Sequence, residues 1–217
     1  ASQRRQARRN IQMVFQDPYG SMNPRMAVRS IISEPLRIHR DILPKARWND
    51  RVVELLELVG LKAEHAARHI HQFSGGQRQR VCIARALAGE PDVLITDEAV
   101  AALDVSIQAQ VLNLMMDLQE ELDLAYLFIS HDLSVVRHIA DDVMVMYLGR
   151  PVEHGPKETV FAHPRHPYTR SLLEAVPHLG QGNENDESVD MVAALERSVV
   201  MPMVVDRSTA EAASMDT

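Results

Sequence analysis

Short apolar runs that alternate with helical patterns constrain the fold of this chain more than any other feature of its sequence. Residues 93–95 and 126–129 form two such runs, and neither has the polar alternation of a half-exposed strand. An amphipathic pattern over residues 105–122 separates them and predicts a helix. Strands that are apolar on both faces and are joined by helices are typical of a parallel sheet covered on both sides. The sequence therefore predicts an α/β fold with a parallel sheet flanked by helices.

The regions on either side supply further predicted elements. A strand is expected over residues 11–15, and a turn-rich stretch follows it. Between residues 28 and 58 two helical patterns are separated by Pro44, which indicates a small helical region. Residues 77–88 carry apolar side chains on one helical face, and a hairpin is predicted after the apolar run at 143–148.

Composition excludes several classes of protein. The single cysteine, Cys82, excludes a disulfide-stapled scaffold and a zinc site built on several thiolates. No stretch approaches the roughly 20 apolar residues of a membrane-spanning helix. The formal charge of −7 is concentrated in residues 181–217, which hold eight acidic and two basic side chains. Because the rest of the chain is nearly neutral, no nucleic acid is expected as a partner.

Polar side chains follow the two central apolar runs, at the point where each predicted strand ends. Asp97 and Glu98 come directly after the first run, and His131 follows the second. Ligands of open α/β sheets bind at the carboxyl ends of strands, so acid, base and imidazole are expected on one rim. Asp97 is suited to hold Mg²⁺ through water, and Glu98 is suited to activate a water molecule. The alternative is that both carboxylates only cap the next turn.

A serine and two glycines open the helix predicted at 77–88. Ser74, Gly75, Gly76 and Gln77 lie where unpaired backbone N–H groups and the helix dipole attract anions. Two glycines would let a phosphate approach the backbone closely. The alternative is an ordinary N-cap and turn, for which the same residues are common.

Five motifs in chain order resemble those of ATP-binding-cassette (ABC) ATPases. They are the Q-loop at 14–18, the signature motif at 73–80, the Walker B strand at 93–98, the D-loop at 101–104 and the switch-histidine loop at 129–132. The resemblance covers residues 10 to about 177. Within the family, residues 18–26 and 166–173 are most similar to the ATPase subunits of oligopeptide and dipeptide importers.

The resemblance implies a P-loop NTPase-like ABC cassette with an α-helical subdomain. Residues 1–177 would form a partial ABC ATPase domain, with a helical subdomain at about 25–90 that ends in the signature motif. Residues 91–155 would form the core sheet with Walker B, D-loop and switch histidine, and residues 178–217 an acidic, weakly ordered tail with a short helix over 191–197. The Walker A loop of the N-terminal portion is missing, since the sequence contains no Gly-Lys pair. We therefore expect that the 217-residue chain alone does not hydrolyse ATP.

The resemblance also implies roles for individual residues around ATP and Mg²⁺. Gln16 would contact Mg²⁺ and sense the attacking water, while its loop touches the membrane subunit. Asp97 would support Mg²⁺, Glu98 would be the general base, and His131 would contact the γ-phosphate.

A second set of residues would act on the ATP of another cassette. In this family two cassettes dimerise head to tail, so Ser74, Gly75, Gly76 and Gln77 would bind the nucleotide held by the partner. Asp104 would bridge the interface. Two residues depart from the family pattern, since Ala99 stands where proline is usual and Ala101 where serine is common, which implies a less rigid loop.

The implied function is an ATP-binding and ATP-hydrolysing subunit of an ABC importer for peptides. Its partners would be a second ABC cassette, transmembrane permease subunits and, indirectly, a solute-binding protein. It would lie peripherally on the cytoplasmic face of the membrane. One alternative is a non-catalytic, signature-only subunit that acts in trans with a complete cassette. Another is a DNA-repair or translation-type ABC ATPase, which the neutral body and the importer-like flanks disfavour.

Overall fold

A computed structural model describes residues 2–175, apart from the side chains of Ser2, Gln3 and Arg5. The chain divides into two compact units, residues 1–127 and residues 128 onward, which are treated separately. The predicted acidic tail and its short helix over 191–197 lie outside the described residues. The predicted division into a helical subdomain and a core sheet stays a prediction.

The sheet of the first unit begins with two parallel strands, as the apolar runs predict. Strand β1 (Ile11–Val14) pairs with β2 (Val93–Asp97), and Val14 lies opposite Thr96 in the register. Strand β3 (Ala125–Ile129) completes the order β1-β2-β3 and runs across the boundary between the units. The predicted α/β fold with a parallel sheet is confirmed.

The helices of the first unit agree with the sequence patterns, with local differences. They are α1 (Ser2–Asn10), α2 (Val28–Ile32), α3 (Glu34–Ile38), α4 (Trp48–Leu58), α5 (Gly75–Leu87) and α6 (Val105–Leu122), with 3-10 turns at Lys45–Arg47, Ala63–Ala67 and Ile70–Gln72. The first of the two predicted helical patterns is split into α2 and α3, because Pro35 starts a new helix. Helix α6 keeps its predicted bounds and ends at Asp123, whose φ of 52° is left-handed.

The core of the first unit lies where α4 and α5 pack together. Leu55 and Leu56 of α4 and Ile83 of α5 have no exposed surface. Met115, on the inner face of α6, is also fully buried and belongs to this core. Helix α5 also contacts β1 and α6, so it lies between α4 and the sheet-bearing part of this unit.

The second unit contains a hairpin and three helices within the described residues. Strands β4 (Asp142–Tyr147) and β5 (Arg150–Pro156) are antiparallel, which confirms the predicted hairpin. Leu148 and Gly149 form its turn with φ values of 49° and 74°, as expected for a two-residue hairpin loop. The helices are α7 (Leu133–Ile139), α8 (Lys157–Ala162) and α9 (Pro167–Glu174), and none of them was predicted.

Among the described residues, no helix combines the length and the apolar character that crossing a bilayer requires.

Candidate functional site

The carboxyl edge of β1 and β2 joins two of the predicted site residues. Gln16 follows β1 and Glu98 follows β2, and the parallel register brings the two strand ends side by side. The Gln16 Nε2 atom donates a hydrogen bond of 2.7 Å to Glu98 Oε2. A hydrogen bond to an ionised carboxylate is among the stronger polar contacts in proteins, so this pair fixes both side chains in the resting chain.

The two neighbouring carboxylates at the end of β2, Asp97 and Glu98, differ in their surroundings. Glu98 adopts a φ of 47°, in the left-handed region that few residues without special constraints occupy. Asp97 is the last residue of β2 and is half-buried. Within the described part of the chain, no hydrogen bond or ion pair engages the Asp97 carboxylate. The strand therefore ends with one carboxylate held by Gln16 and one available to a ligand.

The start of α5 is built by a reciprocal capping arrangement. Ser74 is the N-cap, and its Oγ accepts from Gln77 N at 3.4 Å while Gln77 Oε1 accepts from Ser74 N at 3.1 Å. This capping box explains why the helix begins two residues before the predicted position. The ordinary N-cap explanation for these residues is thus correct, and it does not compete with a phosphate-binding role.

The two glycines of this turn differ in their surroundings. A Cβ on Gly76 would collide with Ile107 of α6, so Gly76 permits the close packing of the two helix starts. Gly75 is exposed, and a Cβ there would lie 3.4 Å from Leu103. Gly76 therefore has a packing role inside the chain, whereas Gly75 leaves its backbone open on the surface.

Asp104 occupies the N-cap position of α6 but forms no side-chain cap hydrogen bond. Most aspartates at this position accept a bond from the first helical turn. The next residue, Val105, is 82% exposed, which is unusual for a large apolar side chain. Asp104 and Val105 together form an exposed pair beside the start of α5.

His131 belongs to the second unit and follows β3 after one residue, Ser130. Its neighbour Asp132 caps α7, since Oδ1 accepts from Ser134 N at 2.9 Å. The predicted meeting of His131 with Asp97 and Glu98 on one rim stays a prediction.

Three residues beside the site are not among the predicted site residues, although they lie in the motif segments 18–26 and 73–80. Tyr19, Arg78 and Gln79 line a pocket of about 160 Å³ together with Gln16 and Gly75. The Arg78 guanidinium lies 5.2 Å from the centre of the Tyr19 ring. Gln79 is fully buried.

A signal for Gln79 was present in the sequence. It lies four residues before Ile83, and such a spacing places both on one helical face.

Cys82 is a buried residue of α5. Burial raises the pKa of its thiol, although a contact with Ser21 opposes this. Its Sγ lies 3.7 Å from Met22 Sδ, so it packs the loop after Gln16 against α5.

Comparison with known proteins identifies the architecture. Residues 1–101 match the family model described as ABC transporter. The chain is 59% identical over 179 residues to the dipeptide transport ATP-binding protein DppF of Escherichia coli K12, covering 82% of this chain and 53% of the relative. The chain belongs to the ABC transporter family. Residues 152–197 also match the family model of the oligopeptide/dipeptide transporter C-terminal region, and part of that match lies beyond the described residues.

Further relatives within the ABC family agree with this assignment. The chain is 54% identical to DppF of Haemophilus influenzae, over 90% of this chain and 59% of that protein. It is 59% identical to the glutathione import ATP-binding protein GsiA of E. coli K12, over 78% of this chain and 27% of that protein. The chain thus spans about half the length of the dipeptide transport relatives that it matches.

A solved structure supports the ABC fold. The chain is similar to cbiO1 of Clostridium perfringens, part of the ABC transporter complex cbiONQ. The TM-score is 0.64 at 32% identity, and the similarity covers 72% of this chain and 61% of that one.

Proposed function

We propose that this chain forms part of an ATP-binding and ATP-hydrolysing subunit of an ABC importer for peptides. The hydrogen bond of 2.7 Å between Gln16 Nε2 and Glu98 Oε2 carries this proposal. It supports a general base, Glu98, that is held beside the glutamine expected to sense the attacking water.

The donor set of the rim fits Mg²⁺. Because Gln16 donates through Nε2, its amide oxygen remains available, and the Asp97 carboxylate has no partner among residues 2–175. Mg²⁺ prefers oxygen ligands and takes only one or two protein carboxylates when it binds with phosphates. Bound Mg²⁺ would neutralise charge on the phosphate oxygens of ATP. Asp97 and Gln16 would hold it, and His131 would contact the γ-phosphate.

The signature turn would serve the nucleotide of a second cassette. The capping box leaves the Ser74 side chain and the Gly75 backbone on the surface, where they can meet a phosphate from outside the chain. Gly76 and Gln77 would fix the geometry of this turn. The exposed Asp104 and Val105 beside it suit contact with the same partner.

The peptide assignment rests on the relatives. The names of the DppF proteins specify dipeptide transport, and the C-terminal family model specifies oligopeptide/dipeptide transporters. Transmembrane permease subunits would be direct partners and a solute-binding protein an indirect one. The chain would lie peripherally on the cytoplasmic face of the membrane.

A chimera tests the proposal, because the relatives are longer than this chain. The aligned segment would replace its counterpart in the dipeptide transport protein of E. coli, in cells that lack their own copy. We expect uptake of a labelled dipeptide to be restored. ATP hydrolysis without dipeptide uptake would contradict the substrate class, and a folded chimera without ATP hydrolysis would contradict the enzymatic assignment. An outcome in which turnover requires an added complete cassette would favour the signature-only alternative.

A further inference from the structure

Gln79 is the most unusual polar residue of the first unit. It lies in the second turn of α5 and has no exposed surface. Neither its amide oxygen nor its amide nitrogen has a hydrogen-bond partner among the described residues. Burying an amide without partners is costly, so such a group calls for an explanation.

Gln79 is one of the residues that line the pocket of about 160 Å³ beside the candidate site. Three segments form this pocket: the loop of Gln16, the start of α5, and the residues that follow Glu98. Buried Thr96 and Tyr126 also have unpartnered hydroxyl groups, but neither lines the pocket. Among these buried residues with unpartnered polar groups, Gln79 is the one that borders the pocket.

The other polar groups of the pocket suit water. Asp17 Oδ1 accepts from Tyr19 N at 2.8 Å, which leaves Oδ2 as an acceptor. Arg78 uses Nε on Ile70 O at 3.3 Å, which leaves its terminal nitrogens as donors. A buried water needs two to four polar partners, and the pocket of about 160 Å³ is larger than the space that one water needs.

We propose that Gln79 is a positioning residue that binds ordered water in this pocket and thereby fixes the loop that carries Gln16. The water bridges the Gln79 amide to Asp17, the residue next to Gln16. The loop is also anchored directly, since Arg85 Nη1 donates to Ser21 O at 2.7 Å. Gln79 acts at the other end of the loop, where Gln16 must reach Glu98.

The consequence for catalysis rests on the proposed function, whereas the hydration itself does not. Hydrogen exchange, thermal stability and crystallography of the 217-residue chain without nucleotide test the hydration. A negative result in these tests would leave the transport assignment intact, and a failed uptake experiment would leave the water site intact.

Hydrogen exchange of Gln79→Met tests the positioning role, since methionine keeps the length of glutamine and removes its amide. We expect exchange at residues 16–22 to rise by at least about threefold, with α4 unchanged. Gln110→Met, the same substitution at an exposed position of α6, is the matched control and should change neither region. Unchanged exchange at 16–22, or an equal rise in α4, would overturn the positioning role.

Stability of the same variant tests whether the amide is hydrated. A dry, unpartnered amide destabilises the fold, so its replacement by methionine would raise Tm by several degrees. A hydrated amide predicts no rise. A raised Tm would therefore contradict the proposal.

Crystallography of the unmodified chain gives a direct answer even where Gln79→Met does not fold. We expect ordered water within about 3.2 Å of the Gln79 amide, with a further contact to Asp17 or Arg78. A pocket without water at the amide, or an amide bonded directly to a protein group, would overturn the proposal.

Discussion

The carboxylates at the strand edge and at the junction of α5 with α6 differ in whether they accept a hydrogen bond within the chain. At the strand edge, Glu98 accepts a hydrogen bond of 2.7 Å from Gln16 of the same chain. At the junction, Asp104 stands in the N-cap position of α6 but forms no cap bond, and Val105 beside it is 82% exposed. The strand edge is thus held together within one chain, whereas the junction presents groups that a partner can use.

Packing makes the junction rigid even though its polar groups are open. Gly76 lets the start of α5 approach Ile107 of α6, and the capping box of Ser74 and Gln77 fixes the first turn. A partner would therefore meet a preformed surface, which lowers the cost of ordering on association.

Glu98→Gln changes the strand edge and has the largest expected effect on ATP turnover. Glutamine keeps the shape and a hydrogen-bond acceptor but cannot take a proton, so ATP turnover of the chimera should fall by about 10²–10⁴-fold. A coupled ATPase assay at saturating Mg-ATP measures it. Glu121→Gln, an exposed carboxylate of α6, is the control. Turnover within twofold of the unchanged chimera would remove Glu98 from the role of base.

Gln16→Ala should have the next largest effect. It removes the donor to Glu98 and one proposed Mg²⁺ ligand, and a bond to a charged group corresponds to about 10–100-fold in rate. We expect turnover to fall more than ATP affinity does, with Gln110→Ala as control. Equal losses in both would indicate a binding role, contrary to the account.

Asp104→Ala changes the junction and leaves the strand edge unaltered. Because its carboxylate forms no cap bond, Tm should stay unchanged, while Mg-ATP-dependent association with a complete cassette weakens by about tenfold. Sedimentation measures association, and Asp117→Ala on the exposed face of α6 is the control. A lowered Tm with unchanged association would assign Asp104 to folding instead.

The sequence predicted the residues of the strand edge better than it predicted the contacts around them. Apolar runs that end in Asp97-Glu98 and helical periodicity over α6 depend on local patterns, which survive in the fold. The pocket beside Gln79, by contrast, is formed by three segments that meet only in space. The left-handed φ of Glu98 likewise is not indicated by its residue type.

The short helices of the second unit escaped prediction for another reason. Helix α7 has seven residues, too few for a clear period, although its Asp132 cap was a usable signal. Helix α9 starts at Pro167 behind His166, whose ring accepts from Tyr168 N at 3.2 Å. Histidine is not among the usual N-cap residues.

Glu153→Gln has the smallest expected effect, which is on stability. It extends the comparison to a carboxylate of the second unit that has hydrogen-bond partners. Burial alone would raise the pKa of Glu153, but the nearby Thr169 hydroxyl and the N–H groups of Arg165 and His166, at 2.8 and 3.0 Å, lower it. The folded pKa is thus below the unfolded one, so the ionised form stabilises the fold above the unfolded pKa. This stability is lost as pH falls through the folded pKa.

We expect the variant to lose about 1 kcal/mol at pH 7 and to show a weaker loss of stability on acidification. Denaturant unfolding at a series of pH values measures both. Glu174→Gln, an exposed carboxylate of the same unit, is the control. An unchanged acid dependence in Glu153→Gln would contradict the assignment.

The most direct test of the account is ATP turnover in a mixed dimer. The partner is a complete related cassette whose own signature serine is replaced by arginine, so turnover of its nucleotide depends on the signature turn of this chain. We predict turnover with the unchanged chain and with Ser74→Thr, which keeps the N-cap, and loss with Ser74→Arg. Turnover that is equal with Ser74→Arg, or absent with the unchanged chain, would contradict the claim that this surface completes the ATP site of a second cassette.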